Sequence, residues 1–247
     1  MLKIVLPLVG YCHPLDTTVT GPTPLAPEHS TLLVSTLVHH LHPSESRRLI
    51  VVARRDDRHP SLLAAIERTA GCAIVGIDET SYGTTGALLG ARHLLDGDDP
   101  LVVAACDQWI DIDPDACVAH MNEAGGDGLI LTMPSDDPGA TILRQDTRGW
   151  ATRLVDHQGP SANAVAGPCV FRRGRDFLRA AEALVDDAGP AGCPGSVASV
   201  YSVLIEEGAR IAVWRAHHES STAYDLRNAS DLQRLRAIAH ARRTIAA

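Results

Sequence analysis

The sequence predicts an α/β protein with a Rossmann-like mixed, mainly parallel sheet and helices on both faces. Short apolar runs rich in valine and isoleucine alternate with segments of helical periodicity, and glycine, proline or aspartate bounds most of the runs. The 247 residues, 45% of them hydrophobic, are enough to bury one large core. We therefore expect parallel strands joined by crossover helices.

The first half of the chain carries the clearest alternation. Predicted strands cover residues 3–8, 48–53, 73–77, 100–105 and 128–132. Predicted helices cover residues 30–41, 60–70, 83–95 and 113–124, and Pro60 and Pro114 fall in first turns, where proline is favoured. Residues 1–134 are thus expected to form a doubly wound, nucleotide-binding half.

After Pro134 the pattern changes to shorter extended segments. These are followed by helices, one further strand and a glycine- and proline-rich loop at residues 188–195. Predicted strands cover residues 140–144, 151–155, 164–171 and 209–214, and predicted helices cover residues 174–187, 197–207 and 229–243. We expect one domain, residues 1–247, in which residues 135–247 form the substrate-binding half.

The composition of the chain argues against two kinds of binding partner, nucleic acids and membranes. A formal net charge of −8 opposes binding to a nucleic-acid backbone, and no segment approaches the roughly 18 apolar residues of a membrane span. The amino-terminal segment lacks the features of a signal peptide. The cysteines are scattered without zinc-ligand spacing, which predicts buried free thiols and a cytoplasmic protein: Cys12, Cys72, Cys106, Cys117, Cys169 and Cys193. A homo-oligomer is possible.

Candidate binding residues follow the predicted strands, because ligands of open parallel sheets bind beyond the carboxyl ends of the strands. Gly10 could let the backbone approach a phosphate, or simply make a turn. Thr84 begins a helix whose free N–H groups suit an anion, although it could merely cap that helix. Asp107 follows five apolar residues and could hold Mg²⁺ or cap a turn, and Asp225 precedes a helix, where a capping role is the default.

Together these segments resemble the nucleotidyltransferase superfamily that makes nucleotide sugars, especially its capsular polysaccharide branch. The specific part of the match runs from DETSYGTTGALLGA, beginning at Asp78, to LDGDDPLVVAACDQ, ending at Gln108. Weaker likenesses are PTPL at residues 22–25, AVAGPCVF at residues 164–171, VYSVLIEEG at residues 200–208 and DLRNASDL at residues 225–232.

The resemblance implies a Mg²⁺-dependent attack of a sugar phosphate on the α-phosphorus of a nucleoside triphosphate (NTP), with release of pyrophosphate. Asp107 and Asp225 match its two metal-holding acids, and Asp156 and Val165 fall where the sugar is held. The nucleotide-binding residues are then Leu8, Gly10, Arg55, Gly83, Thr84 and Asp107.

The chain departs from the family at its cations. Gly10-Tyr-Cys-His lacks the second glycine and the arginine of the family's loop, Thr23 replaces one lysine, and His157 replaces another. Lys3 is the only lysine in the chain. Because phosphoryl transfer depends on neutralising phosphate charge, either His13, His157 and Arg54 or Arg55 take over these contacts, or the chain binds a nucleotide without turnover.

The catalytic candidates are therefore Asp107, His13 and His157. Two other functions stay open: a glycosyltransferase that uses a nucleotide sugar and releases a nucleoside diphosphate, and a nucleotide-binding protein of the same fold. Asp107-Gln108-Trp109 lacks the Asp-x-Asp spacing usual in such glycosyltransferases.

Overall fold

A computed structural model describes residues 1–9, 41, 44–55, 72–78, 83–105, 108–137, 139–156, 159–188, 196–216, 223–225 and 233–234. For residues 109, 156 and 223–225 only the backbone is described. The predicted helices at 30–41, 60–70 and 229–243 and the predicted loop at 188–195 lie wholly or largely outside these residues.

Nine of the eleven strands in the described residues correspond to predicted strands, whereas β5 and β11 were not predicted. In chain order they are β1 (Leu2–Leu8), β2 (Arg47–Arg54), β3 (Cys72–Ile77), β4 (Leu101–Val103), β5 (Gln108–Ile110), β6 (Gly128–Ser135), β7 (Thr141–Gln145), β8 (Ala151–Asp156), β9 (Ser161–Phe171), β10 (Ile211–Arg215) and β11 (Ala223–Asp225). The described helices are α1 (Gly83–Leu89), α2 (Arg92–Leu95), α3 (Pro114–Ala124), α4 (Gly174–Ala188) and α5 (Val200–Glu206), with a 3₁₀ turn at Val197–Ser199.

The main sheet is mixed and mainly parallel, as predicted. Its order is β10-β6-β9-β4-β1-β2-β3, and the β7–β8 hairpin joins it through β9. Strands β4, β1, β2 and β3 are mutually parallel, β6 is parallel to β10, and β9 runs antiparallel to both β4 and β6. Strands β5 and β11 form a separate antiparallel pair.

Both faces of the sheet are covered. Along β1, Ile4 and Leu6 point into one apolar cluster and Val5 into the other, so the strand is buried on both sides. The first cluster includes Cys117 and Met121 of α3, whereas α1, α4 and α5 pack in the second. Within the described part of the chain, no helix is long and apolar enough to cross a membrane.

Tyr201 anchors α5 to the sheet. Its fully buried hydroxyl lies 2.8 Å from the Leu129 carbonyl oxygen and 2.9 Å from that of Val170, and its ring stacks on Phe171. Burial raises the pKa of this hydroxyl well above its usual value, so it acts as a hydrogen-bond donor. The aromatic cluster therefore fixes a helix without leaving a buried polar atom unsatisfied.

The described cysteines are free thiols, as predicted for them. Cys117 and Cys169 are buried, and Cys72 is half-buried. Burial raises the pKa of Cys72 to about 11 and that of Cys117 and of Cys169 to about 12. The remaining cysteines, Cys12, Cys106 and Cys193, lie outside the described residues.

Several predicted elements were wrong in their extent: β6 continues three residues beyond the predicted strand 128–132, and β9 begins three residues before the predicted strand 164–171. The helix predicted at 83–95 is broken between α1 and α2 at Gly90, where a Cβ would lie 2.9 Å from Ile77 Cγ2, so the chain turns to approach the sheet closely. The strand predicted at 100–105 ends at Val103, and Ala104 adds one more backbone bond to Val5. Asp107 therefore does not directly follow this strand; it lies between β4 and β5, a strand that we did not predict.

The predicted helix at 197–207 also divides, because its first turn is the 3₁₀ turn. Helix α3 begins as predicted: Pro114 is its first residue, and the Asp113 side chain caps it by accepting from the Asp115 N–H at 3.1 Å. Gly125 ends the same helix in the left-handed conformation, with φ of 70°.

Ion pairs and hydrogen bonds connect the chain segments at the amino edge of the sheet, where the parallel strands begin. Lys3, only 7% exposed, donates to the carbonyl oxygens of Leu95 and Asp96 and lies 3.7 Å from Asp99 Oδ2. The amine of Met1 lies 2.8 Å from the other Asp99 oxygen and is the main cause of the lowered pKa of that carboxyl. The only lysine of the chain is thus a structural residue of this edge.

The same edge binds the start of α4. Arg175 pairs with Asp98 at 2.7 Å, and the Gly174 N–H donates to the Asp99 carbonyl oxygen at 3.0 Å. No side chain fits at residue 174, because a Cβ there would lie 1.8 Å from the Leu95 carbonyl oxygen. We call residues 96–99 with their partners Lys3, Arg173, Gly174 and Arg175 the amino-edge clamp.

Candidate functional site

The carboxyl ends of β1, β2 and β3 bring together several of the residues predicted to bind a nucleotide. Leu8 ends β1, is 4% exposed and pairs with Ala53 of β2. The next carbonyl oxygen, that of Val9, accepts a hydrogen bond from Thr84 Oγ1 at 3.2 Å. Thr84 therefore ties the start of α1 to the end of β1, a contact that differs from the helix cap considered for it.

Gly83 is the first residue of α1 and is buried. Its φ of 59° lies in the left-handed region, where a side chain would be strained. A glycine is thus required here by the backbone alone, and it brings the chain close to the carboxyl edge without occupying space there.

Arg55 follows β2 at the same edge. Its N–H donates to the Ile77 carbonyl oxygen at 2.8 Å, and its side chain covers Gly76, with Cγ 3.1 Å from the position of a Cβ. The guanidinium Nε lies 3.3 Å from Asp78 Oδ1, and both side chains are mostly exposed, at 67% and 89%. Since an exposed pair of this kind is weak, the cation remains accessible to an anionic ligand.

The pair β5–β11 brings Asp225 next to the Asp107 segment. Its register sets Asp225 opposite Gln108, the residue that follows Asp107, and Tyr224 opposite Trp109. Asp107 itself lies outside the described residues, and of Asp225 only the backbone is described. Asp225 is thus paired with the residue that follows Asp107 in the sequence, although the two predicted metal ligands are far apart along the chain.

The predicted sugar-binding residues lie on β8 and β9. Asp156 is the last residue of β8 and pairs with Thr141, and Val165 of β9 pairs with Thr132 of β6. Val165 is half-buried and packs against the second apolar cluster.

Strand β9 bulges immediately after Val165. Thr132 pairs with Val165 but Ile130 pairs with Cys169, so one residue of β6 faces three of β9. Gly167, in the middle of the bulge, has φ of 65°, and its N–H donates to Gln108 Oε1 at 2.8 Å. The hydrogen bond between Gln108 and Gly167 was not predicted from the sequence, because the two residues lie in distant strands.

Three further predicted site residues, Gly10, His13 and His157, lie outside the described residues. Among the described residues, no cluster of three or more histidine, cysteine, aspartate or glutamate side chains could hold a metal ion. Asp107 and the side chain of Asp225 lie outside the described part of the chain. Their assignment rests on their sequence positions and on the β5–β11 register.

Sequence comparisons return no match: neither a protein-family model nor a curated protein matches this chain. Structure comparisons do. A UDP-glucose pyrophosphorylase complexed with UDP-glucose superimposes with a TM-score of 0.66 at 13% identity, over 94% of this chain and 96% of that one.

Two further structures agree. A nucleoside-diphosphate-sugar pyrophosphorylase from Vibrio cholerae gives a TM-score of 0.63 at 14% identity, over 90% of this chain and 94% of that one. A UTP-bound UGPase from Acinetobacter baumannii gives 0.62 at 13% identity, over 97% and 93%. The chain has the same fold as these pyrophosphorylases.

The strand directions in this fold indicate at which edge of the sheet a ligand would bind. In an open α/β sheet ligands lie beyond the carboxyl ends of the strands, which here is the edge that carries Leu8, Arg55 and Thr84. Lys3 lies at the opposite end of β1, roughly 16 Å from Leu8 at 3.3 Å per residue. It therefore lies far from the carboxyl edge.

Proposed function

We propose that this protein is a Mg²⁺-dependent nucleotidyltransferase that joins an NTP to a sugar phosphate or a sugar-like phosphorylated metabolite. In this reaction a phosphate oxygen of the acceptor forms a bond to the α-phosphorus, and the bond from that phosphorus to the leaving pyrophosphate breaks. The observation that carries the proposal is the register of β5 and β11, which pairs Asp225 with the neighbour of Asp107 within this fold.

The proposed nucleotide site uses residues 1–134. Leu8, Gly10, Gly83 and Thr84 would approach the nucleotide with backbone and small side chains, and Arg55 would bind phosphate. The contact from Thr84 to the Val9 carbonyl and the exposed guanidinium of Arg55 support this assignment. The proposed acceptor site lies in the half of the chain formed by residues 135–247, with Asp156 and Val165 against the sugar.

Asp107 and Asp225 would hold the magnesium ion. Carboxylate oxygens are the donors that Mg²⁺ prefers, so the residue types suit the ion. When bound, the ion would neutralise charge on the phosphate oxygens. His13 and His157 would supply part of the cationic contact that the missing arginine and lysines would otherwise make. A cytoplasmic location is proposed as well, supported by the free thiols.

The decisive experiment measures pyrophosphate release from each of the four NTPs with MgCl₂ and a panel of sugar 1-phosphates. We expect release with at least one pair of substrates. Asp107→Asn should reduce the rate by about a hundredfold or more, because the metal loses a ligand. Asp187→Asn is the matched control: Asp187 is an exposed carboxylate near the end of α4, and its loss should leave the rate unchanged.

Other outcomes separate the competing functions. Release of a nucleoside diphosphate from a nucleotide sugar, without pyrophosphate, would identify a glycosyltransferase. Tight calorimetric binding of an NTP by folded protein, with no release from any pair, would identify a nucleotide-binding protein and overturn the proposal.

A further inference from the structure

Strand β5 is attached to the main sheet by a side chain rather than by a backbone ladder. In the described residues its backbone pairs with β11 alone, whereas Gln108 Oε1 accepts the Gly167 N–H at 2.8 Å. The bulge of β9 makes this bond possible, since residues 166–168 have no paired partners in β6.

The contact leaves no space for a side chain at residue 167. A Cβ on Gly167 would lie 2.5 Å from Ile110 Cδ1, and the φ of 65° favours glycine independently. Ile110 is 7% exposed and packs with Met133 and Ala216. Strand β5 thus rests on the bulge at both of its ends, through Gln108 and through Ile110.

The two residues joined by this hydrogen bond lie next to residues of the proposed site. Gln108 follows Asp107 in sequence and faces Asp225 in the register, whereas Gly167 lies two residues beyond Val165 in β9. The bond therefore connects the strand pair that would hold the metal to the strand that would hold the acceptor. A displacement of β5 from the bulge would change the separation between them.

We propose that Gln108 is a positioning residue that sets the place of the acceptor relative to the α-phosphorus. This inference rests on the proposed function. It requires no contact between Gln108 and either substrate: the side chain acts through the backbone of Gly167. Losing the bond should weaken acceptor binding and slow the reaction more than it weakens NTP binding, because three of the proposed nucleotide contacts, Leu8, Arg55 and Thr84, lie at the ends of β1 and β2 and at the start of α1 rather than on β5.

The test compares Gln108→Met, which keeps the length of the side chain but cannot accept well, with Gln108→Glu, whose carboxylate still accepts from the Gly167 N–H. We expect kcat/KM for the sugar phosphate to fall about tenfold in Gln108→Met, the fold-change that one lost hydrogen bond produces. Its rise in acceptor KM should be larger than any change in the calorimetric Kd for NTP. Gln108→Glu should recover most of the loss.

Gln145→Met is the matched control. Gln145 is also a strand glutamine whose side chain bonds a backbone group, the Gly149 carbonyl oxygen at 2.9 Å, but it lies in the β7–β8 hairpin. Its replacement should change neither KM nor kcat. An equal effect of both substitutions would show a general loss of stability and overturn the positioning role.

Amide hydrogen exchange separates a failure of this inference from a failure of the proposed function. In folded protein the Gly167 amide should exchange about tenfold faster in Gln108→Met than in the unchanged chain or in Gln108→Glu. If the unchanged chain releases no pyrophosphate, the proposed function fails, and exchange alone decides whether Gln108 holds the bulge. Unchanged exchange in Gln108→Met, or an unchanged acceptor KM in an active protein, would overturn the inference.

A second pair of variants covers the case in which Gln108→Met does not fold. Gly167→Ala should raise the acceptor KM by pushing Ile110 away, and adding Ile110→Val should restore part of the loss, because it removes the atom that lies 2.5 Å from the new Cβ. An acceptor KM unaffected by Gly167→Ala would also contradict the role.

Discussion

The two edges of the parallel sheet are made by the same strands but differ in how their charges are paired. At the amino edge, Asp98 and Asp99 have cationic partners from β1 and α4, and Lys3 is buried among carbonyl oxygens. At the carboxyl edge, the Arg55–Asp78 pair is mostly exposed to solvent. The contacts of Lys3 at the amino edge hold the strands together, whereas the exposed pair at the carboxyl edge leaves Arg55 available for a ligand.

The difference shows which charged residues belong to the structure and which to a function. A buried charge whose partners are supplied by the fold is closed to a ligand, whereas an exposed charge such as that of Arg55 can still bind an anion. Burial therefore distinguishes the single lysine, at 7% exposure, from Arg55, at 67% of its side chain. Substitutions at the two edges should accordingly affect different properties.

The largest effect is expected at the amino edge, at Gly174. Gly174→Ala would place a Cβ 1.8 Å from the Leu95 carbonyl oxygen, so the start of α4 must move away from the amino-edge clamp. We expect the free energy of unfolding to fall by about 3 kcal/mol, measured by urea denaturation.

Gly139→Ala is the control for this substitution. A Cβ at residue 139 would make only an ordinary contact, 3.4 Å from Asp137 Oδ1. Its unfolding free energy should change by less than about 0.5 kcal/mol. Equal losses in the two variants would show that the clamp has no special rigidity.

The next effect tests whether Lys3 is structural. Lys3→Met removes the donor to two carbonyl oxygens and the ion pair with Asp99, so stability should fall by about 2 kcal/mol. Pyrophosphate release per folded molecule should not change. Arg48→Met is the control, because Arg48 pairs with Lys3 in register but makes no side-chain hydrogen bond or ion pair among the described residues. Loss of turnover in folded Lys3→Met would contradict the comparison.

At the carboxyl edge the expected result is the reverse. Arg55→Met should leave the free energy of unfolding within about 0.5 kcal/mol, since its ion pair is exposed. The Kd for NTP, measured by calorimetry, should rise about tenfold, because a charge-assisted phosphate contact is lost. Arg153→Met, at an exposed arginine in the β7–β8 hairpin, should change neither quantity. An unchanged Kd in Arg55→Met would remove Arg55 from the nucleotide site.

The sequence was sufficient for the elements that depend on local pattern. Strands β1, β2 and β3 begin and end within one residue of their predicted bounds. The agreement is this close because continuous apolar runs of this length form buried parallel strands. The cap of α3 by Asp113 and its proline at the first position follow equally local rules. The fold class was therefore predictable from the periodicity of the apolar residues and from the glycine, proline and aspartate residues that bound the apolar runs.

The contacts that define the site depend on distant residues. Strand β5 has three residues, and it is a strand because Gln108 to Ile110 pair with Ala223 to Asp225. Likewise the bond from Gly167 to Gln108 needs a bulge that periodicity does not reveal. Candidate acids could be proposed from the sequence, but the side chain that links their strand to the acceptor strand could not.

The smallest expected effect concerns the core between the two edges. The pKa of Cys117 and of Cys169 is raised to about 12 by burial, so the unfolded chain, with thiol pKa near 9, loses these protons at lower pH than the native protein. Stability should therefore be constant between pH 7 and 8.5 and fall above pH 9, by less than about 1 kcal/mol per thiol at pH 9.5. The double variant Cys117→Ala, Cys169→Ala should make this part of the pH profile in urea denaturation shallower, leaving the contribution of Cys72, although its overall stability is lower. An equally steep profile would show that these two buried thiols do not control the alkaline loss of stability.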